Sequence, residues 1–178
     1  MARESRDGYP SEFATELRTL VDALCQKLKV DTDTHVEALK VAGLQDLGML
    51  GVNHVTLAAD RSLTDQELAE VRKAPLVAQN LVARMPGYEK AADAVRHAHE
   101  RWDGNGYPDG LTGTKIPLAS RIVAVCLAYQ AMSSPRPFRA AMHPRVVCDE
   151  LQHGAGTQFD PDVVTALLDV IRPLADQP

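Results

Sequence analysis

Apolar positions recur along this chain at helical spacing. Phe13, Leu17, Leu20, Val21, Leu24 and Leu28 fall on one helix face, with Ser11 placed to cap it. Val36, Leu39 and Ala42 mark a second helix from about Asp33 to Leu44. Thr64-Asp65-Gln66-Glu67 reads as a capping box that opens a helix through Leu68 and Val71. Pro75 has no amide proton and crowds the preceding turn, so a kink or break is predicted just before it. Leu76, Val77 and Leu81 then continue an apolar face, and a further helix is predicted from Tyr88 to about Arg101. Asp103 to Pro117 is rich in glycine and turn residues and reads as a loop. Pro117 stands at a first helical turn ahead of Ile122, Val123, Val125 and Cys126. Another helix starts at Pro144 and ends at Gly154, and Asp160-Pro161 caps a last one carrying Val163, Val164, Leu167, Leu168 and Ile171. No stretch alternates with period two. The predicted class is all-α, with about seven helices.

Composition narrows this further. The 178 residues suit one domain, with hydrophobic residues at 45% and charged residues at 24%. Aromatic residues are only 4%, so the core must be mostly Leu, Val and Ala. A net charge of −5 argues against general nucleic-acid binding, which normally shows a basic face, but leaves room for a local phosphate pocket. Cys25, Cys126 and Cys148 are far apart among apolar residues and read as buried thiols. No run approaches the roughly 20 apolar residues of a membrane span. The charged segment Met1 to Asp7 has no apolar signal region behind it. The reading is a cytoplasmic protein with no membrane partner. Spare apolar helix faces allow a homo-oligomer, and the chain can equally be part of a longer protein.

The loop carries a motif: His99-Glu100-Arg101-Trp102-Asp103-Gly104-Asn105-Gly106-Tyr107-Pro108. This resembles the signature of the HD-GYP family, His-His-Glu followed by Asp-Gly-x-Gly-Tyr-Pro. Downstream, Arg121-Ile122-Val123-Ala124-Val125, Ser134-Pro135-Arg136-Pro137-Phe138-Arg139 and Gly156-Thr157-Gln158-Phe159-Asp160-Pro161 resemble the family's later blocks. Upstream, Asp46-Leu47-Gly48 stands where the family has His-Asp-x-Gly-Lys. The resemblance covers residues 11–172, leaving 1–10 and 173–178 as tails. It implies an HD-type helical fold and, in typical members, hydrolysis of cyclic di-GMP by two or three metal ions. Such chemistry needs two metals about 3.5–4 Å apart, held by imidazoles and carboxylates from several helices.

Against that pattern several positions are changed. The resemblance places residual metal-ligand positions at Asp46 and His99. It places substituted ones at Gln45, Lys73, Ala98 and Leu127, with Met49 for the family's Lys, Gln130 for a companion aspartate, and Phe13 near an upstream His. Ala98 and Leu127 offer no lone pair, Lys73 none at neutral pH, and Gln45 only a neutral oxygen. The expectation is therefore no cofactor, or at most a single weakly bound divalent metal, with Lys73 pairing with Asp46 in the vacated space. The first expectation for function is a degenerate, catalytically inactive HD-GYP domain, a regulatory or protein-interaction module in bacterial signalling. The alternatives are a cyclic di-GMP phosphodiesterase with an atypical metal site using Asp46, His99 and Glu100, or a non-hydrolysing nucleotide sensor. The sensor would hold a cyclic dinucleotide's phosphates on Arg136 and Arg139, where the family keeps cations. The intact GYP loop, Gly106, Tyr107 and Pro108, implies contact with a GGDEF or other signalling protein, or else turn chemistry alone. His97 and His99 are two apart on a predicted helix and so do not share a face. Glu100 and Asp103 read as braces of the loop, Trp102 as core beneath it, and His35, His54, His143 and His153 as exposed or structural.

Overall fold

The computed structural model describes residues 11–59, 61–135 and 140–175. The all-α expectation holds: among these residues β structure is limited to two isolated bridges, Asp103 with Thr112 and Ala155 with Phe159. The helices are α1 (Ser11–Leu28), α2 (Thr32–Leu44), α3 (His54–Leu57), α4 (Asp65–Val71), α5 (Ala74–Val82), α6 (Glu89–Arg96), α7 (Leu118–Ser133), α8 (Pro144–Gly154) and α9 (Pro161–Ala175). Tight 3₁₀ turns at Gln45–Gly51 and Gly113–Lys115 supplement them. Among the described residues, no helix is long and apolar enough to cross a membrane.

Helix ends follow local chemistry. Asp31 caps α2 by accepting from the Thr34 amide, and Thr64 and Glu67 form the reciprocal capping box at α4. Asp160 caps α9, its Oδ1 accepting from the Asp162 and Val163 amides at 2.9 and 3.4 Å. The break foreseen before Pro75 separates α4 from α5 at Arg72–Lys73. α6 stops at Arg96 rather than Arg101. The chain leaves it through i→i+3 bonds, His97 N–H to the Ala94 carbonyl and Ala98 N–H to that of Val95.

α7 is buried on most of its circumference, through Ile122, Val123, Val125 and Cys126, as expected of a helix apolar all round. α1, α2, α8 and α9 pack around it. The core adds Leu17, Val21 and Leu24 from α1, Val41 from α2, Leu151 from α8 and Leu167 from α9. Cys25 and Cys126 are buried and Cys148 is half-buried. Two polar ties fix neighbours to α7: the Ser120 hydroxyl donates to the Ala94 carbonyl, and the Gln130 amide to the Phe13 carbonyl. Trp102 is half-buried under the Arg121 guanidinium, not in the core as expected.

Candidate functional site

A cavity of about 500 Å³ opens where the 3₁₀ turn at 45–51, the end of α4, the residues after α6 and the middle of α7 meet. Gln45 and Asp46 reach it from the 3₁₀ turn, Ala98 and His99 from the exit of α6, Leu127 from α7 and Phe13 from α1. Met49, Gly106 and Tyr107 also line it. Residues that the motif blocks scatter over more than a hundred positions thus share one space.

The turn bearing Asp46 lies hard against α5. A Cβ on Gly48 would overlap the Ala74 carbonyl, so only glycine permits this approach. That contact also corrects the reading of Lys73. Lys73 is exposed and does not line the cavity, whereas Ala74 is buried at 2%. One residue along a helix is a rotation of about 100°, enough to turn a side chain from cavity to solvent. The expected Lys73–Asp46 ion pair is therefore not formed. Arg72, at the α4–α5 break, lines the cavity instead.

The cavity's polar groups are unusual. Burial raises the Asp46 carboxyl above its ordinary range, an effect opposed by a hydrogen bond from Gln45. Burial lowers His99 below its ordinary value and favours the neutral imidazole. The His99 Nε2 atom is buried and has no hydrogen-bond partner. Its ring stacks on Tyr107, with centroids 5.3 Å apart and 6° between planes. Buried polar atoms are almost always bonded, so this orphan nitrogen is a feature that calls for a partner.

The loop behind the cavity is tied by a second cluster. The Glu100 carboxylate accepts three backbone N–H groups, from Asp109 (2.7 Å), Gly110 (3.1 Å) and Leu111 (3.2 Å). Arg96 grips both Asp109 oxygens, at 2.6 and 2.7 Å, and His97 Nε2 meets Asp109 Oδ2 at 2.8 Å. The Arg96 hydrogen bonds hold the Asp109 carboxyl at about 2, with His97 a smaller contributor. Asp103 receives a two-point contact from Arg101 and caps the Asn105 amide. A Cβ on Gly106 would strike the Glu100–Arg101 backbone, and the Tyr107 N–H returns to the His99 carbonyl. His97 and His99 do face different ways, but from the turn after α6 rather than from one helix. Arg136 and Arg139 lie outside the described residues. Arg72 and Asp109 were missed by sequence reasoning. The break before Pro75 and the Pro108-Asp109-Gly110 turn were the signals that could have found them.

The ligand atoms of His97, Glu100 and Asp109 all lie within 4.8 Å of one another, close enough to hold a metal ion. Those atoms are also engaged by Arg96 and three amides, so a metal would have to displace them. In the central cavity the fit is different. Asp46 and His99 bring a carboxylate and an imidazole to its lining, while Ala98, Leu127 and Phe13 bring no ligand atom.

The sequence model of the HD domain family matches residues 3–163. The chain is 33% identical over 171 residues to the cyclic di-GMP phosphodiesterase response regulator RpfG of Xanthomonas campestris, covering 94% of this chain and 45% of that protein. It is 31% identical over 182 residues to a cyclic di-GMP phosphodiesterase of Vibrio cholerae, covering 94% and 37%. It is 25% identical to the 3′3′-cGAMP-specific phosphodiesterase 3 of V. cholerae, covering 98% and 38%. The chain thus spans less than half the length of each of these relatives. The crystal structure of the V. cholerae cyclic GMP-AMP-specific phosphodiesterase V-cGAP3 superposes with a TM-score of 0.70 at 16% identity, over 93% of this chain and 45% of that one. Bd1817 of Bdellovibrio bacteriovorus, an HD-GYP-type protein, gives 0.70 at 19% identity, over 91% and 52%. At those identities the likeness is one of fold. The relationships, together with the His97–Glu100–Asp109 cluster, overturn the expectation that the domain takes no cofactor. The chain belongs to the HD domain family.

Proposed function

We propose that this domain binds a cyclic dinucleotide in the central cavity and acts on its phosphodiester as a phosphodiesterase with an atypical site built on one divalent ion. The observation that carries this reading is a cavity of about 500 Å³ lined by both Asp46 and His99, the His99 Nε2 being buried and without a hydrogen-bond partner. That volume lies within the usual span of small-molecule sites, roughly 300–1,000 Å³. Neutral His99 offers a lone pair and Asp46, an exposed residue, a carboxylate. A bound divalent ion would polarise a phosphoryl oxygen and supply a nucleophile at neutral pH. Asp46 and His99 would hold it, and the Glu100-braced loop would keep Tyr107 stacked on the imidazole. With one ion in place of two, either the attacking or the leaving oxygen would lack its clamp, so turnover is expected to be slower than at a two-metal centre. The relatives named for cyclic di-GMP and cyclic GMP-AMP hydrolysis support the substrate class.

The test is metal analysis of protein purified without chelator, followed by cyclic di-GMP titration and chromatography of products with added manganese or iron. About one ion per chain and slow formation of a linear dinucleotide are expected by this reading. Both should be lost in His99→Ala and Asp46→Ala. Binding without product would make the domain a non-hydrolysing sensor. Absence of both metal uptake and binding overturns the proposal.

A further inference from the structure

Besides His99, two basic side chains line the central cavity among the described residues, Arg72 and Arg101. Arg101 is committed, its guanidinium engaging both Asp103 oxygens at 3.1 and 2.7 Å. Arg72 is exposed and has no carboxylate partner among the described residues. Its guanidinium lies over the Tyr107 ring, 5.9 Å from the centroid, and Tyr107 in turn stacks on His99. An aromatic ring engages the face of a guanidinium and leaves its in-plane N–H fork free for a phosphate. The backbone dictates this placement. α4 ends at Val71 and α5 begins at Ala74, and the intervening turn sends Arg72 to the cavity and Lys73 to solvent. An entering phosphodiester brings negative charge into this cavity, and a cation already held by a carboxylate offsets little of it. The geometry points to Arg72.

We propose that Arg72 is the phosphodiester-binding residue of this cavity, receiving phosphate oxygens on its guanidinium fork above the Tyr107–His99 stack. This rests on the cyclic-dinucleotide reading given above. The test titrates the full chain and the variants Arg72→Ala, Arg72→Lys and Lys73→Ala calorimetrically, once with cyclic di-GMP and once with inorganic phosphate, thermal melts confirming the fold. Losing a charged hydrogen-bond donor should weaken cyclic di-GMP binding by about tenfold or more in Arg72→Ala. Arg72→Lys should recover part of this, since an ammonium keeps the charge but not the fork. Lys73→Ala should bind as the parent does, and a loss there equal to that of Arg72→Ala would mean a general charge effect and overturn the assignment. Unchanged cyclic di-GMP binding in Arg72→Ala also overturns it while leaving the dinucleotide reading in place. Phosphate bound by the parent and lost in Arg72→Ala, with no cyclic di-GMP binding, supports Arg72 and overturns the dinucleotide reading. If neither ligand binds, both fail. Should Arg72→Ala not fold, Arg72→Lys alone decides: parental affinity for both ligands would show that the fork is not used.

Discussion

Replacing Glu100 by Gln probes how the glycine-rich loop is held beside the cavity. Glu100 is 5% exposed, and its two oxygens serve three amides. Oε1 takes Asp109 and Gly110, and Oε2 takes Leu111. An amide of the same shape has one acceptor oxygen, so in either orientation a donor faces a donor. With the oxygen kept at the Oε1 position, the Leu111 N–H loses its partner, at about 1–3 kcal/mol. The two surviving bonds lose their charge assistance, which roughly halves them, while the neutral group is cheaper to bury. The net cost expected is about 2–3 kcal/mol, which for a chain of this size lowers the melting temperature by roughly 5–10 °C. Glu100→Ala leaves all three amides unpaired and should reach about 3–5 kcal/mol. Urea denaturation should show a lower midpoint at unchanged slope, and hydrogen exchange should speed up at Asp109, Gly110 and Leu111. A Glu100→Gln protein within about 0.5 kcal/mol of the parent, with those amides still protected, would refute the reasoning.

Two further perturbations test neighbouring features. Arg121 and Asp160 form a largely buried pair, 15% and 4% exposed at the side chain and 2.5 Å apart, and Asp160 also caps α9. Asp160→Ala should therefore cost about 3–5 kcal/mol in a denaturation assay, and removing Arg121 as well should recover part of it; simple additivity of the two changes would count against the pair. Asp109 has its folded carboxyl lowered to about 2, chiefly by Arg96. Its stabilising contribution is thus complete above the unfolded value of about 3.9 and is lost as pH falls toward 2. Asp109→Asn should flatten the acid limb of stability against pH between those values, and an unchanged limb would remove Asp109 from the account.

The local chemistry of this chain was legible in its residues. Apolar spacing placed the helices, Thr64 with Glu67 and Asp160 with Pro161 set two of the starts, and Pro75 marked the break, because each acts through the few residues beside it. The ordered motif blocks were enough to indicate the family. Which side chains share the cavity was decided by packing between segments far apart in sequence. A one-residue difference at the α4–α5 break exchanges Lys73 for Arg72, because successive helical residues point about 100° apart and the contact of Gly48 on Ala74 sets which one faces inward. Periodicity ran the Tyr88 helix on to Arg101. The end at Arg96 follows from the loop's return, in which Glu100 spends its carboxylate on amides nine to eleven residues later. The orphan nitrogen of His99 has the same origin. A histidine's residue type states that it can bind, and only the tertiary structure decides that this one is buried, stacked on Tyr107 and left without a partner.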